Sequence, residues 1–275
     1  MQDTYVGDIG DYGKYGLLRA INKTDLQLAV NWYRVIPREP QKQRDGKFVE
    51  YLSSPEEFRH YDSVLFDELR KIVIQNERTL SRIETSGLLR ADFFSEELYG
   101  ERKLWHKKAL EKTKNADIVF LDPDNGLETE NMFMRGSAKE KHVKYQELKD
   151  YYDRGQSVIL YQHLARITKQ ECVEIAFKYN KNYLHADSLL VLEYPRQSPR
   201  FYFFFLHEKH VQTIKMAYDS TADSWSGFCK KIIIKVQAAE EKHEESGGAQ
   251  CHQAKNIWTS LWSSFRDWMK SRTDT

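Results

Sequence analysis

The 275-residue sequence is poor in cysteine and in long apolar runs, and each shortage excludes a class of protein. Cys172, Cys229 and Cys251 are too few and too widely spaced for a disulfide framework or a C-x-x-C zinc site. No apolar run approaches the roughly 20 residues that cross a bilayer. The N-terminal residues lack the basic start and apolar centre of a signal peptide. These features predict a cytoplasmic protein with reduced thiols and no membrane span.

The sequence also lacks a strong excess of either charge. It has 42 Lys and Arg against 41 Asp and Glu, a formal net charge of +1, so bulk electrostatics do not favour tight binding to long nucleic acid. A local basic face remains compatible with this balance. The basic run at residues 102–114, together with Arg196 and Arg200, is either a solvated face or an edge that contacts phosphates.

The composition is that of a folded protein. A hydrophobic fraction of 40%, with 13% aromatic residues, is enough for the core of one large domain or two small ones. Residues 1–237 alternate short β-rich runs with helical patterns and are predicted to form an α/β domain. Residues 238–256 begin with a charged, small-residue stretch and are predicted to be a flexible linker. Residues 257–272 carry an apolar stripe at helical spacing, which predicts an amphipathic helix that either folds back or serves a protein partner or self-association.

The apolar runs of the first segment predict an open sheet. The candidate strands are residues 28–35, 88–94, 116–121, 157–161, 188–193 and 201–206. The candidate helices are residues 11–21, 55–75, 102–114, 143–154 and 169–179. The last two strands are joined by a loop with two prolines, which favours an antiparallel hairpin. The pattern therefore predicts an α/β fold with a mostly parallel sheet of six or seven strands, helices on both faces and a terminal antiparallel β-hairpin.

Polar residues that follow the two most apolar strands are candidate catalytic residues. Asp122, Pro123, Asp124 and Asn125 come directly after the 116–121 strand, and His163 follows the next strand. Ligands of open α/β sheets bind outside the carboxyl ends of the strands. A histidine there is a candidate base or hydrogen-bond donor near pH 7, with a structural histidine as the alternative. The loop itself is alternatively a plain turn, since turns prefer the same residue types.

Glycines recur at every third position near the N-terminus. Gly7, Gly10, Gly13 and Gly16 lie in or beside a helical pattern, where each glycine costs about 1 kcal/mol relative to alanine. One interpretation is a close backbone approach to a ligand, with Lys14 facing an anion. The other is tight packing of the helix against the sheet.

The order of elements and the 122–125 motif resemble the class I S-adenosylmethionine-dependent methyltransferases over roughly residues 1–210. Amino-methyltransferases of that superfamily carry [DNS]-P-P-[YFW] after the fourth strand, where the motif holds the target exocyclic amine. The sequence Asp122-Pro123-Asp124-Asn125 matches the first two positions and departs at the last two. The segment GDIGDYGKY is similar in position and character to the H-A-G-N-x-A-D-x-x-K-H segment of ribosomal RNA adenine-N6 methyltransferases of the large-subunit type.

This resemblance implies a three-layer Rossmann-like fold, S-adenosylmethionine as the cofactor, and methyl transfer to an amino group of nucleic acid. Asp122 and the Pro123 carbonyl would accept hydrogen bonds from the target amine, while Asp124 and Asn125 would orient the substrate. The implied cofactor-binding residues are Gly7, Asp8, Gly10, Asp11, Lys14 and Asp92.

Two registers of the first strand are open. In one, residues 28–35 form the first strand, and the residues that follow lack the usual glycine-rich turn. In the other, residues 4–8 form a short first strand and the N-terminal glycines form the turn.

Two other functions are compatible with the same residues. Asp122 and Asp124, with Asp92 or Glu128, are candidate Mg²⁺ ligands of a metal-dependent nuclease or phosphodiesterase. The other hypothesis is a non-catalytic nucleic-acid-binding module on the same scaffold, since a fold does not determine a function.

Overall fold

The computed structural model describes residues 1–36, 46–128, 140–164, 167–196 and 199–234. The strands are β1 (Leu28–Asn31), β2 (Ala91–Phe94), β3 (Ile118–Leu121), β4 (Gly126–Leu127), β5 (His142–Val143), β6 (Ser157–His163), β7 (Ser188–Tyr194), β8 (Arg200–Leu206) and β9 (Lys230–Ile234). The helices are α1 (Ile9–Ile21), α2 (Pro55–Phe58), α3 (Ser63–Ile74), α4 (Leu80–Thr85), α5 (Arg102–Lys112), α6 (Tyr145–Asp153), α7 (Lys169–Tyr179) and α8 (Glu208–Ser224). The predicted linker at 238–256 and the predicted helix at 257–272 lie outside the described residues.

Seven of the described strands form one sheet in the order β2-β1-β3-β6-β8-β7-β9. Strands β2, β1, β3 and β6 are parallel neighbours, and β8 lies antiparallel between β6 and β7. Strand β9 adds a further antiparallel strand at the edge. The predicted α/β fold, with its mostly parallel sheet and terminal hairpin, is confirmed. The sequence pattern had not indicated β9 or α8.

Helices cover both faces of the sheet because successive side chains of a strand point in opposite directions. On β8, the Phe204 ring contacts Tyr218 of α8, with ring centroids 5.5 Å apart. Its neighbour Phe205 contacts Tyr179 of α7 on the other face, at 5.6 Å. Helix α1 packs on the same side as α8 and α3. The sheet is therefore the middle of three layers.

A helix cap fixes the start of α1. The Asp8 carboxylate accepts a hydrogen bond from the Asp11 backbone N–H at 2.8 Å, which caps the helix. Residues Asp3–Tyr5 form a short 3₁₀ turn, so residues 4–8 are not a strand. The register with β1 at Leu28–Asn31 is therefore the observed one, and the glycines at 10, 13 and 16 lie within α1.

The sheet reverses its order of connection between β1 and β3. Strand β1 has β2 on one side and β3 on the other, and the following parallel strand, β6, continues beyond β3. Such a reversal opens a crevice at the carboxyl ends of the two central strands, where open α/β sheets bind their ligands. The ends of β1 and β3 are Asn31 and Leu121.

Candidate functional site

A cavity of about 330 Å³ opens at the carboxyl end of β3, beside the reversal point of the sheet. Its volume is in the range of sites that hold small molecules. The structure brings all five candidate catalytic residues to its wall, residues 122–125 and His163. Three of the six candidate cofactor-binding residues, Asp8, Asp11 and Lys14, also line it.

Lys14 connects two carboxylates at the inner wall of the cavity. Its Nζ atom lies 2.7 Å from Asp122 Oδ2 and 2.8 Å from Asp11 Oδ1, and all three side chains are 3% exposed. Burial raises the pKa of Asp11 and of Asp122 above the ordinary value, against the opposing effect of Lys14. The two carboxylates more than offset the effect of burial on Lys14, so its pKa is raised. The Lys14 ammonium group thus pairs with two carboxyl groups.

Asp124 is a third buried carboxylate, held on the opposite side of the same loop. Its Oδ1 atom lies 2.9 Å from the Met1 nitrogen, and Oδ2 accepts a hydrogen bond from Gln2 Nε2 at 2.7 Å. Lys141 Nζ lies 3.7 Å from Oδ2. Burial raises the pKa of Asp124, but these neighbours together hold it below the ordinary value. A plain solvated turn does not account for two buried, paired carboxylates.

His163 on β6 is paired with Arg200 on β8 in the register of the sheet. Burial, assisted by the nearby Arg200 cation, lowers the pKa of His163 below its ordinary value of 6.5. The imidazole is therefore neutral at pH 7 and able to accept a proton. The backbone N–H of His163 donates to the Asn125 carbonyl at 3.2 Å, which ties the 122–125 loop to β6.

Asp92, predicted to bind the cofactor, lies outside the cavity wall. This residue lies in the middle of β2, paired with Ala29, and its side chain is exposed away from the cavity. The carboxyl end of β1 also differs from the pattern that the resemblance implies. Trp32 and Tyr33 follow β1 and are fully buried, and the Tyr33 hydroxyl lies 3.2 Å from Glu147 Oε2. Two aromatic side chains therefore occupy the place of a glycine-rich turn.

Gly7 and Gly10, also predicted to bind the cofactor, lie outside the cavity wall and face atoms of the protein itself. A Cβ atom at Gly7, where φ is +82°, would lie 2.8 Å from Val73 Cγ2, and one at Gly10 would overlap the Arg200 guanidinium. Cβ atoms at Gly13 and Gly16 would likewise overlap the rings of Tyr194 and Trp225. The glycine spacing therefore serves close packing of α1, the alternative left open by the sequence.

Gly10→Ala is expected to destabilise the protein, although alanine is the better helix former by about 1 kcal/mol. The added methyl group must displace Arg200, and such overpacking costs about 1–3 kcal/mol. Gly13→Ala, one turn along the same helix, is the matched variant, since it displaces Tyr194 and leaves the cavity wall intact. Urea unfolding measures both. An alanine at position 10 that stabilises the protein contradicts the packing interpretation.

Sequence reasoning missed several residues of the cavity wall. The sequence indicates that Arg200 belongs to a solvated face or to an edge that contacts phosphates, but Arg200 is only 8% exposed and lines the cavity. Tyr161 lies two residues before His163 on β6, so strand alternation would have placed both on one side. Tyr5 and Phe48 come from irregular segments, where periodicity carries no signal.

The arginines of the predicted basic edge contact other groups of the protein, whereas its lysines, such as Lys103, Lys107 and Lys112, are exposed. Arg102 Nε lies 2.5 Å from Glu147 Oε1 in a buried pair. Arg196 places its guanidinium carbon 4.5 Å from the centre of the Phe228 ring. Among the described residues, no group of three or more His, Cys, Asp or Glu side chains is arranged to hold a metal ion. In the same part of the chain, no helix combines the length and apolar character needed to cross a bilayer.

Comparisons with known proteins identify no family for this chain. No family model matches the chain, and no curated protein matches it. One solved structure that matches the chain is the crystal structure of protein LPL1258 from Legionella pneumophila strain Philadelphia 1, of the family model DUF519. The two are 13% identical, with a TM-score of 0.46, and the match covers 85% of this chain and 98% of that one.

Proposed function

We propose that this chain is an S-adenosylmethionine-dependent enzyme of methyltransferase-like fold that methylates an amino group of nucleic acid. The observation that carries the proposal is the placement of the 122–125 loop. It follows β3 at the reversal point of the sheet and lines a cavity of about 330 Å³. The terminal hairpin, with β8 inserted between β6 and β7, adds support. It agrees with the hairpin that ends the sheet of class I methyltransferases.

The charges of the cavity suit the cofactor. S-adenosylmethionine carries an ammonium, a sulfonium and a carboxylate, and the cavity wall offers groups of both signs. Asp8 and Asp11 would hold the cationic groups, and Arg200 would hold the carboxylate. When bound, the cofactor supplies an electrophilic methyl group.

The protein side chains would orient the target amine and take its proton. Lys14 contacts Oδ2 of Asp122, and the same carboxylate would accept a hydrogen bond from the amine through Oδ1. The Pro123 carbonyl would be a second acceptor. His163 is neutral at pH 7 because of its lowered pKa, and it would receive the proton that the amine loses on methylation. A base within a duplex would have to be flipped out to reach this loop.

The metal-dependent alternative is less compatible with the contacts of the two carboxylates. Asp122 pairs with Lys14, and Asp124 lies beside the Met1 nitrogen and Lys141. Cations of the protein thus stand where a divalent ion would need open oxygen ligands.

Isothermal titration calorimetry with S-adenosylmethionine, run beside Mg²⁺, tests the proposal. We expect saturable binding of the cofactor by the full chain. Asp8→Asn should weaken it by about 10- to 100-fold, because it removes a charged hydrogen-bond acceptor. Asparagine is as good a helix cap as aspartate, so α1 should be retained.

Asp92→Asn is the control, since it removes one carboxylate outside the cavity and should leave the affinity unchanged. Binding of Mg²⁺ without binding of S-adenosylmethionine would favour the nuclease alternative. Binding of neither, with nucleic acid still bound, would favour a non-catalytic module.

A further inference from the structure

An apolar ring stands open at the mouth of the cavity. Phe48 lines the cavity and is 41% exposed. Within the described residues, no other aromatic ring is stacked on it. Burying a phenylalanine side chain is worth about 1.5–3 kcal/mol, so a ring left open beside charged groups is a surface for a ligand.

The backbone that carries this ring is fixed to the start of α1. The Phe48 carbonyl accepts a hydrogen bond from the Ile9 N–H at 2.9 Å. Two residues earlier, the Gly46 carbonyl accepts one from Arg78 Nη2 at 2.7 Å. Arg78 also binds the Val6 carbonyl at 2.6 Å, so one guanidinium joins this segment to the N-terminal turn. The ring is therefore presented from an anchored position.

The groups around the ring match the parts of a nucleotide. Inside the cavity, Asp122 and Asp124 offer carboxylate oxygens, which accept hydrogens from exocyclic amines such as those of adenine and cytosine. Lys141, which also lines the cavity, is 43% exposed, where its ammonium group can contact a phosphate. An aromatic ring, two amine acceptors and an ammonium group thus line the same cavity.

We propose that Phe48 is the stacking platform for an unpaired, amine-bearing nucleobase, so that the substrate of this site is single-stranded nucleic acid or a flipped-out nucleotide. The proposal rests on the proposed function for the reaction, but the binding that it describes is measurable without any catalysis. Base–aromatic stacking tolerates all base types, so selection for an amine comes from the carboxylates.

Fluorescence titration of a nine-nucleotide single strand with one 2-aminopurine, an amine-bearing base whose emission falls on stacking, tests the proposal on the full chain. We expect Phe48→Ala to raise the dissociation constant by about 5- to 150-fold and to abolish the quenching. Phe48→Trp should keep the wild-type dissociation constant and the quenching. Tyr99→Ala, which removes an aromatic side chain that is 69% exposed and outside the cavity wall, is the matched control and should behave as wild type.

Wild-type affinity and quenching in Phe48→Ala would overturn the proposal, and so would a wild-type chain that does not bind the single strand. If Phe48→Ala fails to fold, Phe48→Leu supplies the same comparison, since leucine keeps the apolar volume without an aromatic face. Calorimetry with S-adenosylmethionine separates this proposal from the proposed function. A wild-type chain that does not bind S-adenosylmethionine would contradict the proposed methyltransferase function. A wild-type chain that binds S-adenosylmethionine, together with strand binding that does not depend on Phe48, would contradict only the stacking role of Phe48.

Discussion

Lys14→Met is expected to lower the free energy of unfolding by about 3–5 kcal/mol at neutral pH, the cost of leaving buried charge without its partner. Lys14 is the ammonium within 2.8 Å of both Asp11 and Asp122, and all three side chains are 3% exposed. Methionine has a similar length, so the variant removes the charge with little change in volume. Two carboxylates then remain buried side by side.

The loss should depend on pH in a defined direction. Burial raises the pKa of Asp11 and Asp122 above their ordinary value of 3.8. Between 3.8 and the raised pKa the folded state holds more protons than the unfolded state, so the stability that these groups contribute falls as pH rises through that interval. Without Lys14, the pKa of each carboxyl group rises further and the interval widens. The variant should therefore be closest to wild type near pH 4 and furthest from it near pH 8.

Urea unfolding at both pH values measures this difference. Lys149→Met is the matched control, because Lys149 pairs with Asp153 on the surface of α6 at 2.7 Å, with 36% and 52% of the two side chains exposed. An exposed pair of this kind contributes about 0.3–0.5 kcal/mol. Equal effects of the two lysine substitutions, or no change of the Lys14 effect with pH, would contradict the central ion cluster.

Asp122→Asn is expected to reduce methyl transfer by about 100-fold or more while the protein stays folded. Loss of one preorganised electrostatic group in an active site typically costs that much in turnover. Stability should be preserved, because Lys14 keeps Asp11 as a partner at 2.8 Å. In the variant, the Lys14 ammonium pairs with a single carboxylate, that of Asp11. The substitution thus removes a negative charge that was in excess in the interior.

Transfer of a labelled methyl group from S-adenosylmethionine to single-stranded nucleic acid measures the effect, beside urea unfolding of the same sample. Asp92→Asn makes the same chemical change on the exposed part of β2 and should retain full activity. A folded Asp122→Asn protein with wild-type turnover would remove Asp122 from the proposed mechanism. A stable variant with lost activity would separate the role of Asp122 in catalysis from that of Lys14 in stability.

Local sequence patterns were sufficient to predict much of the sheet and one wall of the site. The apolar runs at β3, β6, β7 and β8 and the helix at α7 were predicted within a few residues, because these signals act over a few neighbouring positions. Turn residues after β3 marked the 122–125 loop, and the carboxyl end of a central strand is where open sheets bind ligands. Local patterning and one topological rule were sufficient there.

The side chains that meet at that loop come from distant parts of the chain, and local patterns do not predict which of them do. Lys14 and Asp122 are 108 positions apart in the chain, and their 2.7 Å contact depends on how α1 docks over the sheet. The same docking brings Arg200 against Gly10, which favours packing over ligand contact, the two interpretations of the glycines that the sequence left open. It also places Phe48 at the mouth of the cavity, from a segment without periodicity. Apolar period, helix caps and turn residues report on neighbours along the chain, whereas these contacts are set by strand order and helix packing, which join distant segments.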